Sequence, residues 1–174
     1  MKLEYLYRGL PGHPLHPPLT DAAIGAYTFA TVAAVLSALE IAAEEAAQAW
    51  ALALIVGLVA GAAAALTGFV DWLRIERGTP LWRTATAHMV ANLCATAAFL
   101  IAIGAGYSEA MDDGVVTTAA FVLTVIGFGL LTLGGWLGGS IVFVHGMRVL
   151  NLVEEPASRA AAPVPHPEQE AAER

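Results

Sequence analysis

Four long apolar stretches leave this chain few ways to fold: Ala22 to Ala43, Trp50 to Val70, Ala85 to Tyr107, and Val115 to about Val149. Each of the first three runs for about 20 residues, the length an α-helix needs to cross about 30 Å of hydrocarbon at about 1.5 Å per residue. The fourth is too long for one straight crossing, so its helix tilts, protrudes, or bends at the glycines of "GGWLGGS". Lipid offers no hydrogen-bond partner to an open strand edge, and short connections join neighbouring spans in antiparallel order. The expected fold is all-α, an integral membrane four-helix bundle running up-down-up-down. Composition agrees: 57% of the residues are hydrophobic and 13% charged, against about 25% charged in an ordinary soluble domain.

Lysine and arginine sort to one side of these spans. Lys2 and Arg8 precede the first, Arg74, Arg77 and Arg83 separate the second from the third, and Arg148, Arg159 and Arg174 follow the fourth. The opposite connections, "EIAAEE" and "YSEAMDDG", hold Glu40, Glu44, Glu45, Glu109, Asp112 and Asp113 and no basic residue. The positive-inside rule therefore predicts that both termini are cytoplasmic. A net charge of −7 argues against nucleic acid as a partner, and the apolar spans make membrane lipid the expected surroundings.

The expected organisation is a cytoplasmic lead-in over residues 1–20, a transmembrane domain over 21–150, and a disordered cytoplasmic tail over 154–174. Pro17 and Pro18 suit the start of a helix, where a missing N–H costs nothing, and Thr20 or Asp21 is the expected cap. The apolar stretch that follows is too long for the core of a cleavable signal, so the first span is expected to stay in the membrane. The tail is rich in proline, alanine and charge without apolar periodicity, which leaves His166 solvated. Cys94 is expected to be a buried core thiol and Trp136 to pack in the core. Trp50 is expected at the outer interface, with Trp72 and Trp82 at the inner one. Small residues recur at helix-packing intervals: Gly57 and Gly61, Ala60 and Ala64, Gly134 and Gly138, Gly135 and Gly139. Such residues let helices approach closely, within the bundle or between chains in a homo- or hetero-oligomer. Those of the fourth helix also suit clearance for a flat ligand. Both odd-numbered spans carry histidine at their cytoplasmic start, although no repeat is evident along the sequence.

Depth places the polar residues together. His13 and His16 stand at the inner mouth of the first span, in "GHPLHPPLTD", and Asp71 ends the second. His88 and Asn92 lie one turn apart at the start of the third, and His145 lies near the inner end of the fourth. Ionisable groups within spans are costly and usually face the bundle interior. Taken singly, Asp71 beside Arg74 reads as an interfacial ion pair. Taken together, the six residues suit three chemistries. Two imidazoles from neighbouring helices can ligate a b-type haem, with His88 and His145 as the expected pair and His16 as a third ligand or propionate partner. Arg74 and Arg83 would then meet the propionates. A zinc or copper site is the second option, and a quinone site or proton relay the third. The alternative is a non-catalytic structural or interaction module, and no stand-alone enzyme activity is expected.

The same residues resemble a bacterial membrane protein family known as domain of unknown function 2231. "GHPLHPPLTDAAIG" is similar to its opening Gly-His-Pro-Leu-His-Pro box. "TGFVDW", "AHMVAN" and "GGWLGGSIVFVHG" resemble its second-, third- and fourth-helix motifs, and the likeness spans about residues 9 to 150. Ala23 stands where the family usually has proline. The resemblance implies a four-helix inner-membrane protein whose motif residues here are His13, His16, Asp71, His88, Asn92 and His145. Relatives fused to Rieske domains imply an electron-transfer setting, with a Rieske-type protein or quinone as partner. This chain has no Cys-x-His pair for such a cluster itself.

Overall fold

A computed structural model describes residues 5–10, 12–149 and 156–162. A short turn of helix, α1 (Tyr5–Arg8), leads into a two-residue hairpin of β1 (Gly9–Leu10) and β2 (His13–Pro14). Four long helices follow: α2 (His16–Ala38), α3 (Ala43–Trp72), α4 (Pro80–Gly104) and α6 (Thr118–Phe143). The six-residue α5 (Tyr107–Asp112) lies in the second hairpin connection, and the short α7 (Ala157–Ala160) comes last. All four long helices have the length and composition of membrane spans. The part of the tail expected to be disordered falls mostly outside the described residues, as does His166.

Local chemistry sets most boundaries. α2 opens with Pro17 and Pro18 in its first turn, one turn earlier than a cap at Thr20 or Asp21 would place it. Thr20 instead turns its hydroxyl back onto the His16 carbonyl, 2.9 Å away. Thr79 caps α4 by accepting from the Trp82 N–H, with Pro80 at the first position, and Thr117 caps α6 by accepting from the Ala120 N–H. The α2–α3 turn puts Glu40 and Ala42 at φ 57° and 47°, a left-handed backbone that side chains adopt at some cost. The long fourth apolar stretch is resolved simply. It is non-helical before Thr118, helical to Phe143, and a non-helical turn from there.

The interior inverts the pattern of a soluble bundle. Most buried residues are alanines, while Phe29, Val59, Leu66, Leu93, Leu100 and Phe143 point outward. Small residues inside and large apolar ones outside are what lipid favours, because helix association there depends on close packing. Cys94 is on the outside, and Trp136 is 79% exposed. Both expectations of core positions fail for the same reason: in a bilayer an apolar side chain gains little by turning inward. Trp50 departs in the other sense. It is fully buried, with its indole N–H bonded to the Thr124 hydroxyl at 3.0 Å. Thr124→Val is expected to lower stability by about 1–3 kcal/mol, since the buried indole N–H loses its acceptor; thermal unfolding in detergent measures it.

A repeat hidden in the sequence organises the core. Moving along the chain by 72 residues carries His16 to His88, Ala23 to Ala95 and Tyr27 to Phe99. Moving by 70 carries Gly57 to Gly127, Ala64 to Gly134 and Gly68 to Gly138. Hairpin α2–α3 thus matches hairpin α4–α6. The matched rings meet: Tyr27 and Phe99 stack with centroids 4.1 Å apart and planes 10° from parallel. Each lies over the matching glycine of its own hairpin. A Cβ added at Gly57 would come within 2.6 Å of the Tyr27 ring, and one at Gly127 within 2.9 Å of Phe99.

Candidate functional site

Eleven residues before each stacked ring, about three helical turns toward the end of the bundle that bears the termini, stands a histidine. His16 sets its Nδ1 at 2.9 Å from the Ala64 carbonyl on α3, with the Thr67 hydroxyl at 3.3 Å. Its ring fits over Gly68, where a Cβ would come within 2.7 Å of it. His88 repeats the arrangement. Its Nδ1 is 2.8 Å from the Gly134 carbonyl on α6, and its ring lies 3.0 Å from the Cβ that Gly138 lacks. The matched partners are Ala64 with Gly134 and Gly68 with Gly138, so the repeat extends from the aromatic layer into the histidine layer.

The chemistry of the acceptors fixes the tautomers. A carbonyl only accepts, so Nδ1 carries the proton in both rings and Nε2 is left with its lone pair in the neutral imidazole. Asn92, one turn along from His88, donates to the His88 carbonyl at 2.8 Å and packs into the space left by Gly134. The glycines of the fourth long helix are thus divided. Gly134 and Gly138 make room for Asn92 and His88 rather than for a flat ligand, while Gly135 has nothing within 4 Å and Gly139 touches only Phe143 of its own helix.

His16 and His88 stand at matched positions, each eleven residues before one ring of the Tyr27–Phe99 stack. Asp71 pairs with Arg148 at 2.7 Å, rather than with the neighbouring Arg74. Asp71 is buried at 8% exposure, and Arg148 sits at φ 60° just past Gly146 at φ 65°. The segment after α6 therefore folds back over the histidine end, pinned by this pair. A cleft of about 430 Å³ opens beside it, lined by Asp71, Arg74, Glu76, Thr79, Met147 and Arg148 among others. Asp71→Asn is expected to cost on the order of 1–3 kcal/mol, below the cost of breaking a fully buried pair because Arg148 is partly exposed. Thermal unfolding of the full chain checks it.

His145 is held apart from the pair. The Thr84 hydroxyl lies 3.1 Å from the Pro80 carbonyl and 3.0 Å from His145 Nε2, so it engages that nitrogen whichever of the two carries the shared proton. That commits Nε2, one turn outward of His88 along α4. The imidazole that shares the His88 layer is His16 rather than His145. His13, in the short hairpin, is exposed. Arg83 does not line the cleft, whereas Arg74 does. Among the described residues no three His, Cys, Asp or Glu side chains converge as a metal shell, so these residues do not assemble the three or four ligands of a zinc or copper site.

The residues that sequence reasoning missed are the ones that position the imidazoles: the Ala64 and Gly134 carbonyls, Gly68, Gly138, Thr67 and Thr84. Histidine spacing alone held a usable signal, since His16 and His88 each precede an aromatic residue by the same eleven positions.

Neither the curated proteins nor the solved structures yield a match to the chain. One family does match, described as predicted membrane protein (DUF2231), over residues 12–151. That span runs from the His-Pro motif through all four long helices and the segment that closes over the histidine layer, and the chain is a member of the DUF2231 family of membrane proteins.

Proposed function

We propose that this protein is a membrane electron carrier in which His16 and His88 hold one b-type haem between the two hairpins, on the cytoplasmic side of a bacterial inner membrane. The observation that carries the reading is the duplicated imidazole. Two histidines from separate hairpins share a layer, each with Nδ1–H anchored on a backbone carbonyl and Nε2 left as a lone-pair donor. A carbonyl on the far nitrogen is what orients a ligating histidine and raises its basicity. Two such donors suit haem in a way they do not suit a bare cation, because the porphyrin supplies the other four ligands. The haem would supply a one-electron couple.

The chain's own residues do the rest. The Tyr27–Phe99 stack closes the bundle on the deep side of the imidazoles. Arg74 and Arg148 line the cleft at the terminal end, where carboxylate groups of a bound porphyrin would find counter-charges. Asp71 holds Arg148 in place. A Rieske-type protein or a membrane quinone is the proposed exchange partner, meeting the protein at the end where the arginines gather. Protein purified in mild detergent from haem-replete cells tests this: the expected result is a Soret band and one haem per chain by pyridine haemochrome assay. A colourless, folded preparation overturns it.

A further inference from the structure

The segment that leaves α6, residues 144–149, turns back over the terminal end and makes two side-chain anchors. His145 Nε2 meets the Thr84 hydroxyl on α4 at 3.0 Å, and Arg148 meets the Asp71 carboxylate at the end of α3 at 2.7 Å. Each anchor stands about one turn outward of a cradled imidazole. Thr84 is four residues before His88, and Asp71 is three residues past Gly68, over which the His16 ring lies. The segment therefore runs from one hairpin to the other across the outer side of the imidazole layer, and Met147 and Arg148 form part of the cleft wall there.

The backbone of this segment is under load. Gly146 and Arg148 are both left-handed, at φ 65° and 60°. Glycine adopts that region freely, and an arginine does so at a cost. The repeat shows what the position holds elsewhere. The 70-residue shift that carries α3 onto α6 carries Gly78 onto Arg148, and Gly78 has the same left-handed backbone at φ 83°. One hairpin makes this turn with glycine and the other with a residue that resists it. The turn does not call for an arginine; the bond to Asp71 does. The stem is held differently, since the Gly146 and Met147 N–H groups donate to the Val142 and Ile141 carbonyls at 3.1 Å. Backbone bonds to α6 thus hold the segment as far as Met147, and side-chain contact with α3 holds Arg148 in its strained form.

We infer that residues 144–149 are a latched strap over the mouth of the imidazole layer. While Arg148 holds Asp71, the strap bridges the two hairpins. When the pair parts, the Arg148 backbone relaxes to its ordinary region and the chain from there onward swings away from α3, opening the cleft toward His16 and His88. A strained backbone held shut by a side-chain contact is a two-state element biased to open once released. The strap regulates entry to the site assigned above, and it rests on the haem reading only for the identity of what enters.

Histidine modification tests it. Diethyl pyrocarbonate acylates an imidazole lone pair, which His16 and His88 keep on Nε2. It is applied to the full chain purified in detergent from haem-depleted cells, and the rate at each histidine is read by mass spectrometry, with exposed His13 as internal reference. Arg148→Gly removes the latch while suiting the φ of 60°. In it His16 and His88 are expected to react about fivefold faster or more, the scale of a lost, partly exposed ion pair, with His13 unchanged. Arg148→Lys, which keeps a cation for Asp71, is expected to stay near the wild-type rates. Thr124→Val, which loosens the bundle at its far end, is expected to leave both rates as they are. Equal rates in Arg148→Gly and wild type overturn the strap, and so does an equal rise in Thr124→Val. Rates raised by Arg148→Gly alone, in a protein that stays colourless in haem-replete cells, uphold the strap and overturn only the haem reading.

Discussion

His16→Ala and His88→Ala are each expected to abolish haem binding, whereas His13→Ala and His145→Ala keep the full wild-type spectrum. The asymmetry follows from the hydrogen bonds. His16 and His88 spend Nδ1–H on the Ala64 and Gly134 carbonyls and keep Nε2 for a ligand, while His145 spends Nε2 on Thr84. His13 stands exposed in the short hairpin. On the proposed ligation, losing either imidazole would leave a single-point attachment, so the expected loss is of the whole Soret band rather than a fraction. A wider variant separates ligation from structure. His16→Gly enlarges the pocket without adding a polar group, and imidazole added to the buffer is expected to restore the spectrum. A spectrum retained in both His16→Ala and His88→Ala sinks the pairing.

Gly57→Ala and Gly127→Ala are each expected to destabilise the bundle. A methyl group at Gly57 would come within 2.6 Å of the Tyr27 ring, and one at Gly127 within 2.9 Å of Phe99. Neither ring can retreat, because each is stacked on the other at 4.1 Å. Overpacking of this kind costs about 1–3 kcal/mol, and here it outweighs the gain of about 0.5–1 kcal/mol that alanine brings to a helix over glycine. The control runs the other way. Gly129 and Gly135 have nothing within 4 Å, so Gly129→Ala and Gly135→Ala are expected to hold or raise the unfolding temperature. Thermal unfolding of the four variants in one detergent reads both signs together, and a fall of similar size in all four contradicts the glycine-on-ring packing.

The spans were legible from length and apolarity alone, and the gathering of polar residues at one end followed from counting depth along each span. What the linear sequence concealed was the repeat. Its two helices are offset by different amounts, 72 and 70 residues, because the connections differ in length. Identities also change at the matched positions, Tyr27 for Phe99, Ala64 for Gly134 and Thr20 for Asn92. Only the histidines and some small residues persist, and small residues are too common in a membrane helix to signal kinship. The partner of Asp71 was hidden for another reason. Arg74 is near in sequence, but Arg148 is brought across by a turn after α6 whose left-handed residues, Gly146 and Arg148, no periodicity foretells. Cys94 and Trp136 were misplaced by reasoning suited to water, where an apolar side chain turns inward by default. In lipid the glycine and alanine faces turn inward and the bulky ones outward.

The positions of His16 and His88 tie these threads together, since the repeat, the glycine clearances and the carbonyl anchors all converge on two imidazoles from two hairpins sharing one layer. Near-infrared magnetic circular dichroism of the oxidised protein reports the axial ligands of a haem directly. A bis-imidazole signature is expected in the wild type, and no haem signal in His88→Ala. A wild-type spectrum with a single histidine, or with histidine opposite sulfur, would contradict it.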